Sequence, residues 1–231
     1  MKFITDFYNS SIGKKWIVAL TGLVLIAYVI GHLIGNLQIF ISPAQINWYG
    51  EKLHSMGPLL YVIRAFLLAC FILHIVTTIL LAIQNRQARP ERYAVKKQIR
   101  TTAAARTMLV SGLILLCFVI FHLLQFTIKP ANLPGNISFP SFEMANGHTD
   151  IYTMLVTSFS NPFTTGFYIL GMFLLCMHLS HGFSSFFQTL GLNSKKIAHT
   201  LEAGGTVLAW LIFAGYISIP VSVYLGILKL K

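Results

Sequence analysis

Four histidines, His32, His74, His122 and His178, each lie within a different long apolar stretch of the chain. An imidazole in the hydrocarbon core of a membrane is expensive, so its retention points to a function. Four of them on four helices would provide two pairs of facing ligands, and axial histidines are a common way to hold haem iron. Zinc would need all four to converge on one point. A proton relay could use neutral imidazole, but it would normally be joined by buried carboxylates. No Asp or Glu falls within the core of the apolar stretches.

The elements that must position these side chains follow from composition. The 231 residues are 55% hydrophobic and 10% charged, with a mean hydropathy of +0.71. A soluble domain carries roughly a quarter charged residues, so the composition excludes an ordinary soluble enzyme. The net charge of +11 comes from 17 Lys and Arg against 6 Asp and Glu. The basic residues gather in short loops, which indicates membrane topology and anionic lipid contact and no nucleic-acid partner. Cys70, Cys117 and Cys176 all fall in apolar runs and form no C-x-x-C. They read as core thiols, without zinc, disulfide or covalent haem attachment.

The fold class expected is all-α, a single membrane domain of five transmembrane helices. Stretches of about 20 apolar residues are needed to span, and five qualify, at 17–40, 59–83, 107–128, 163–187 and 204–228. The opening MKFITDFYNSSIGKKW is polar for too long to begin a signal peptide, so the first apolar run is expected to remain as a helix. The Pro-, Gly- and Asn-rich segment between the third and fourth spans reads as an extramembrane loop. No repeat is apparent beyond one histidine per helix.

Orientation follows the basic residues. Lys2, Lys14 and Lys15 precede the first span, and Arg86, Arg89, Arg92, Lys96, Lys97, Arg100 and Arg106 follow the second. Lys195 and Lys196 follow the fourth. The opposite loops offer only Lys52 and Lys129, offset by Glu51, Glu143 and Asp150. The positive-inside rule therefore predicts a cytoplasmic N-terminus and an outer C-terminus, with Lys229 and Lys231 dissenting mildly. Each histidine lies about 15 residues into its helix, roughly 22 Å into a core about 30 Å thick. His32 and His122 then fall in the outer half and His74 and His178 in the inner half, about 14 Å apart along the normal.

Several neighbours bear on a planar guest. Gly171 and Gly182 share the helical face of His178, and Gly35 lies three residues after His32. Arg64 sits about 8 Å below the outer edge of the second span, where it would either meet an anion such as a haem propionate or snorkel to the surface. His181, one turn after His178, is a rival for the fourth ligand or a partner for an inner propionate. His199 falls at a basic loop, and His54 and His148 fall in outer loops.

The chain resembles the five-helix dihaem cytochrome b anchor of succinate:quinone oxidoreductases, a family that includes fumarate reductases. The matching stretches are SSIGKKWIVALTG, HLIGNLQIF around His32, NRQARPERY after the second span, and HLSHGFSSFFQTLGLN around His178. With the histidine spacing they cover nearly the whole chain. The resemblance implies two b haems, the distal one held by His32 and His122 and the proximal one by His74 and His178. The family's fourth ligand begins an H-x-x-x-G pattern, which His178 satisfies through Gly182, whereas Ser185 follows His181 at that offset.

The same resemblance implies a flavoprotein and an iron–sulfur subunit docked on a basic cytoplasmic face, in a bacterial inner-membrane complex whose further oligomerisation is left open. Electrons would leave to menaquinone near the distal haem, where Asn36, Gln38, Glu51, His54 and Gln125 are the candidate polar groups. Some dihaem relatives carry a glutamate two residues before the fourth ligand; Cys176 stands here, which argues against a transmembrane proton path at that residue. A cytochrome b of a hydrogenase or formate dehydrogenase, or a fumarate reductase running in reverse, is the alternative. A cofactor-free transporter would show inverted repeats or broken helices, and neither is evident.

Overall fold

Apolar length without internal punctuation produces long helices, and the computed structural model has five that are long and apolar enough to cross a membrane. They run over Ser11–Phe40, Pro58–Gln87, Arg106–Ile128, Pro162–Thr189 and Ala198–Tyr224. The structure describes residues 2–88, 103–129, 142–144, 147–192, 194 and 196–230. Arg89, Arg92, Lys96, Lys97, Arg100 and Lys195, which carried much of the orientation reading, lie outside the described residues. In chain order the α-helices are α1 (Lys2–Asn9), α2 (Ser11–Leu37), α3 (Pro43–His54), α4 (Pro58–Gln87), α5 (Ala103–Leu123), α6 (Ile151–Phe159), α7 (Pro162–Thr189) and α8 (Ala198–Tyr224). Among the described residues the only β pairing is an isolated bridge between Glu143 and Thr149. The chain is a multi-pass membrane protein.

Two compact units divide it. The first comprises Met1–Val29, Val62–Gly112 and Met177–Ala209; the second comprises Ile30–Tyr61, Leu113–Cys176 and Trp210–Lys231. In the first unit α1 precedes the first span as a separate helix. The Ser10 hydroxyl accepts from the Gly13 N–H and donates to the Phe7 carbonyl, so one side chain ends α1 and starts α2. A Cβ on Gly13 would collide with that Phe7 carbonyl. Lys14 is only 3% exposed. Its Nζ donates to the Asn9 carbonyl at 3.0 Å and lies 5.5 Å from the Tyr8 ring centre, a cation capping the negative end of α1.

The second unit holds the apolar core, built on Ile39, Ile46, Phe118, Leu155, Val156, Phe159, Tyr168, Met172, Ile219 and Val223. The stretch between the first two spans is not a plain loop. Ser42 accepts from the Gln45 N–H and Pro43 opens the first turn, so α3 starts there and carries Glu51 and His54 in its last turn. Helix α6 starts at Asp150, which accepts from Thr153 N–H at 3.0 Å and Thr153 hydroxyl at 2.7 Å. Asn47 joins the two helices by donating to Asp150 at 3.0 Å and accepting from the Tyr152 N–H at 3.0 Å. Gly50 permits the approach, because a Cβ there would run into Ile151.

The last span begins and ends earlier than the apolar run indicated. The Ser194 carbonyl accepts from Ile197 and Ala198, which winds the chain before 204 and brings His199 and Glu202 into the first turns of α8. At the other end Gly226 takes φ +73°, and the N–H groups of Ile227 and Leu228 turn back to the Ser222 carbonyl.

Asp150 generates a prediction. Partial burial alone would raise its carboxyl, but donors from Thr153 and Asn47 hold it below the usual carboxylate value. A depressed folded value means stability that is present above the unfolded pKa and lost as pH falls through the folded one. Acidification below about pH 4 is expected to loosen α3 from α6, and Asp150→Ala to cost about 0.5–2 kcal/mol at neutral pH through the lost cap. Hydrogen exchange of residues 151–155 in wild type and variant reads both effects.

Candidate functional site

The four intramembrane histidines are distributed as two and two. His32 on α2 and His122 on α5 belong to the second unit; His74 on α4 and His178 on α7 belong to the first. The rings of His32 and His122 lie in a T-shaped arrangement with centroids 5.8 Å apart and planes at 86°. Two imidazoles on opposite sides of one metal ion, with nitrogen–metal bonds of about 2 Å, place their ring centres about 6 Å apart. His74 and His178 lie within electrostatic reach of each other. Among the described residues no group of three or more His, Cys, Asp or Glu side chains comes together in a way that could hold a metal ion.

Each of three histidines has its Nδ1 beside a hydroxyl from another helix. Thr21 Oγ1 of α2 lies 3.1 Å from His74 Nδ1, and Ser111 Oγ of α5 lies 3.3 Å from His178 Nδ1. Tyr168 of α7 places its OH 3.3 Å from His122 Nδ1. A hydroxyl has one proton to give, and here each proton is already engaged. Thr21 donates to the Ile17 carbonyl at 2.6 Å, Ser111 to the Met108 carbonyl at 3.1 Å, and Tyr168 to Gln125 Oε1 at 2.9 Å. A hydroxyl that spends its proton there accepts from Nδ1, and the ring lone pair then lies on Nε2. The Val18 carbonyl is a further acceptor for the His74 ring. In metal-binding histidines generally, a hydrogen bond from one ring nitrogen fixes the tautomer and the ring orientation.

Around His32 and His122 the packing is aromatic. Phe118 stacks on His122 at 6.3 Å and 21°, Phe126 meets it edge-on at 5.6 Å, and Tyr216 lies 6.3 Å from His32. A π turn over Leu124–Ile128 follows α5 and ends at Lys129 with φ +46°. Gln125 is buried within it, 8% exposed, where its amide oxygen meets Tyr168. Such π turns cluster at functional sites.

The glycines divide differently from the sequence reading. A Cβ on Gly35 would strike the Tyr49 ring at 2.7 Å, and one on Gly171 would strike Phe118 at 2.5 Å. Both admit neighbouring aromatic rings rather than a guest. Gly182 has nothing within 4 Å of such a Cβ. The glycines that touch histidines are Gly22, whose Cβ would meet His74 Cε1 at 3.2 Å, and Gly112, whose Cβ would meet His178 Cε1 at 3.4 Å.

The other candidates spread out. Arg64 is exposed on α4, and His181 is half-buried one turn beyond His178, within electrostatic reach of Glu202. Asn36 donates to the His32 carbonyl at 2.7 Å, and Gln38 accepts from Gln45 at 2.8 Å. Glu51 and His54 come together with Trp48, Lys52, Ser55 and His148 around a cavity of about 350 Å³. Among the described residues two buried polar atoms have no partner within the chain, Thr77 Oγ1 and Gln84 Oε1. Both are on α4 and, seven residues apart, on one face. A bound group with hydrogen-bonding capacity would satisfy them.

Thr21, Ser111 and Tyr168 were not singled out from the sequence. Hydroxyls inside helices usually bond their own backbone, and only packing between helices shows which also meet a histidine. Comparison with family models, with curated proteins and with solved structures returns no match.

Tyr168→Phe is expected to keep the aromatic packing but strand both Gln125 Oε1 and His122 Nδ1. An unsatisfied buried group costs about 1–3 kcal/mol. Thermal unfolding of the detergent-solubilised protein should show this loss, and Gln125→Leu combined with Tyr168→Phe should recover part of it.

Proposed function

We propose that the chain is the dihaem cytochrome b anchor of a succinate:quinone oxidoreductase, a membrane subunit that holds two b haems and links the catalytic subunits to the menaquinone pool. The observation that carries this reading is the pair His32–His122, with ring centres 5.8 Å apart, close to the spacing of two axial imidazoles. The second pair, His74 and His178, has both Nδ1 atoms held by hydroxyls. When bound, each haem supplies a centre that takes up and releases one electron. The residues of the chain do the rest: His32 and His122 ligate the distal group, and His74 and His178 the proximal one. His178 is preferred to His181 because its Nδ1 is engaged by Ser111 and its fourth follower is Gly182.

The N-terminus is cytoplasmic in this reading, and a flavoprotein and an iron–sulfur subunit dock on that side, where the basic segments lie. Arg64 and His181 are assigned to propionates. Menaquinone is the exchangeable substrate. The cavity beside Glu51 and His54 supports a quinone site, because quinone reduction needs donors to two carbonyl oxygens and a supply of protons. Asn36, Gln38 and Gln125 bond within the chain and support the fold around the pair.

Purified protein should show a b-type reduced-minus-oxidised spectrum with two haems per chain. His32→Ala or His122→Ala should remove one, and His74→Ala or His178→Ala the other. No b-type absorbance, or two haems surviving both His32→Ala and His74→Ala, would sink the reading. In the intact complex Glu51→Gln is expected to lower quinone reduction about 100-fold or more, the scale of a lost proton-transfer group, with haem content unchanged.

A further inference from the structure

Two dipeptides stand in the same relation to two histidines. Thr21-Gly22 precedes His32 by eleven residues on α2, and Ser111-Gly112 precedes His122 by eleven on α5. Eleven residues are close to three full helical turns, so the hydroxyl and the later histidine share one face of their helix. Each helix thus repeats the pattern hydroxyl–glycine–x9–histidine. It offers its own histidine to the second unit and its hydroxyl to a histidine of another helix in the first.

The hydroxyl and the glycine act on one ring. Thr21 Oγ1 reaches His74 Nδ1 at 3.1 Å, while the neighbouring Gly22 leaves room for Cε1 of that ring. Ser111 Oγ stands in the same relation to His178 at 3.3 Å, with Gly112 beside Cε1 of that ring, where a Cβ would make ordinary contact at 3.4 Å. Thr21 and Ser111 are both buried, 7% and 5% exposed, so water does not compete for these bonds. Resting on the ligation reading above, we infer that Thr21 and Ser111 are the positioning residues of the His74–His178 pair. Each accepts the Nδ1 proton of its histidine, fixes the ring so that Nε2 faces the metal, and sets the electron donation of that ligand. A hydrogen bond from Nδ1–H makes an imidazole more basic and favours the ferric state.

The test uses the full chain with its haems. Thr21→Val keeps the shape and removes the acceptor; Thr21→Ser restores it. Ser111→Ala and Ser111→Thr form the corresponding pair on the opposite ligand and carry the same test should Thr21→Val fail to fold. The expected result is that Thr21→Val and Ser111→Ala affect the same haem, the one lost in His74→Ala. Its retention against a haem scavenger should fall about 10- to 100-fold, and its midpoint potential should move upward with an altered ferric low-spin resonance. The other haem should keep its potential, and the hydroxyl-restoring variants should recover both properties. Unchanged retention, potential and resonance in Thr21→Val and Ser111→Ala, with two haems bound, would overturn the assignment and leave the ligation reading standing. A wild-type chain without haem would overturn both.

Discussion

Everything in this structure depends on satisfying imidazole in a place with no water. A histidine has two ring nitrogens, and within the hydrocarbon neither can be left to solvent. At His74, His178 and His122 one nitrogen is satisfied by a hydroxyl whose own proton is engaged elsewhere. A hydroxyl committed in that way accepts from the ring, and the second ring nitrogen is then an acceptor. The helices must then pack closely enough to bring hydroxyl and ring within 3.1 to 3.3 Å, an approach that Gly22 eases at His74. The polar arrangement therefore fixes the packing as much as the packing fixes the arrangement.

The two units solve this problem with different chemistry. In the first, two small aliphatic hydroxyls beside glycines hold the rings, and each hydroxyl passes its proton to a carbonyl of its own helix. In the second, a phenol holds His122 and passes its proton to Gln125, which a π turn presents. The aromatic neighbours Phe118, Phe126 and Tyr216 complete that surrounding. The two histidine pairs therefore sit among different hydrogen-bonding partners, and in the proposed function that difference would set the two centres apart.

Much of this was legible in the residues, and the rest failed for physical reasons. The five spans were legible because apolar length alone dictates a helix in a membrane. Helices α3 and α6 were not: at 12 and 9 residues they are too short to read as spans, and their association depends on contacts such as Asn47 with Asp150 and Gly50 with Ile151. The end of α8 was misplaced because apolar residues continue past Tyr224, while Gly226 turns the backbone. Histidines stood out by type, but glycine alone does not say what it admits. Gly35 and Gly171 serve Tyr49 and Phe118, and the glycines beside the histidines were Gly22 and Gly112. The repeated hydroxyl–glycine pair eleven residues before His32 and His122 was the available signal.

The central claim is that two histidine pairs, and no other side chains, furnish the axial ligands. Low-temperature paramagnetic resonance and near-infrared magnetic circular dichroism of the oxidised, purified chain test it most directly. Two ferric low-spin centres, both with two imidazole ligands, are expected. A single centre, or a centre with thiolate or methionine as an axial ligand, would contradict it.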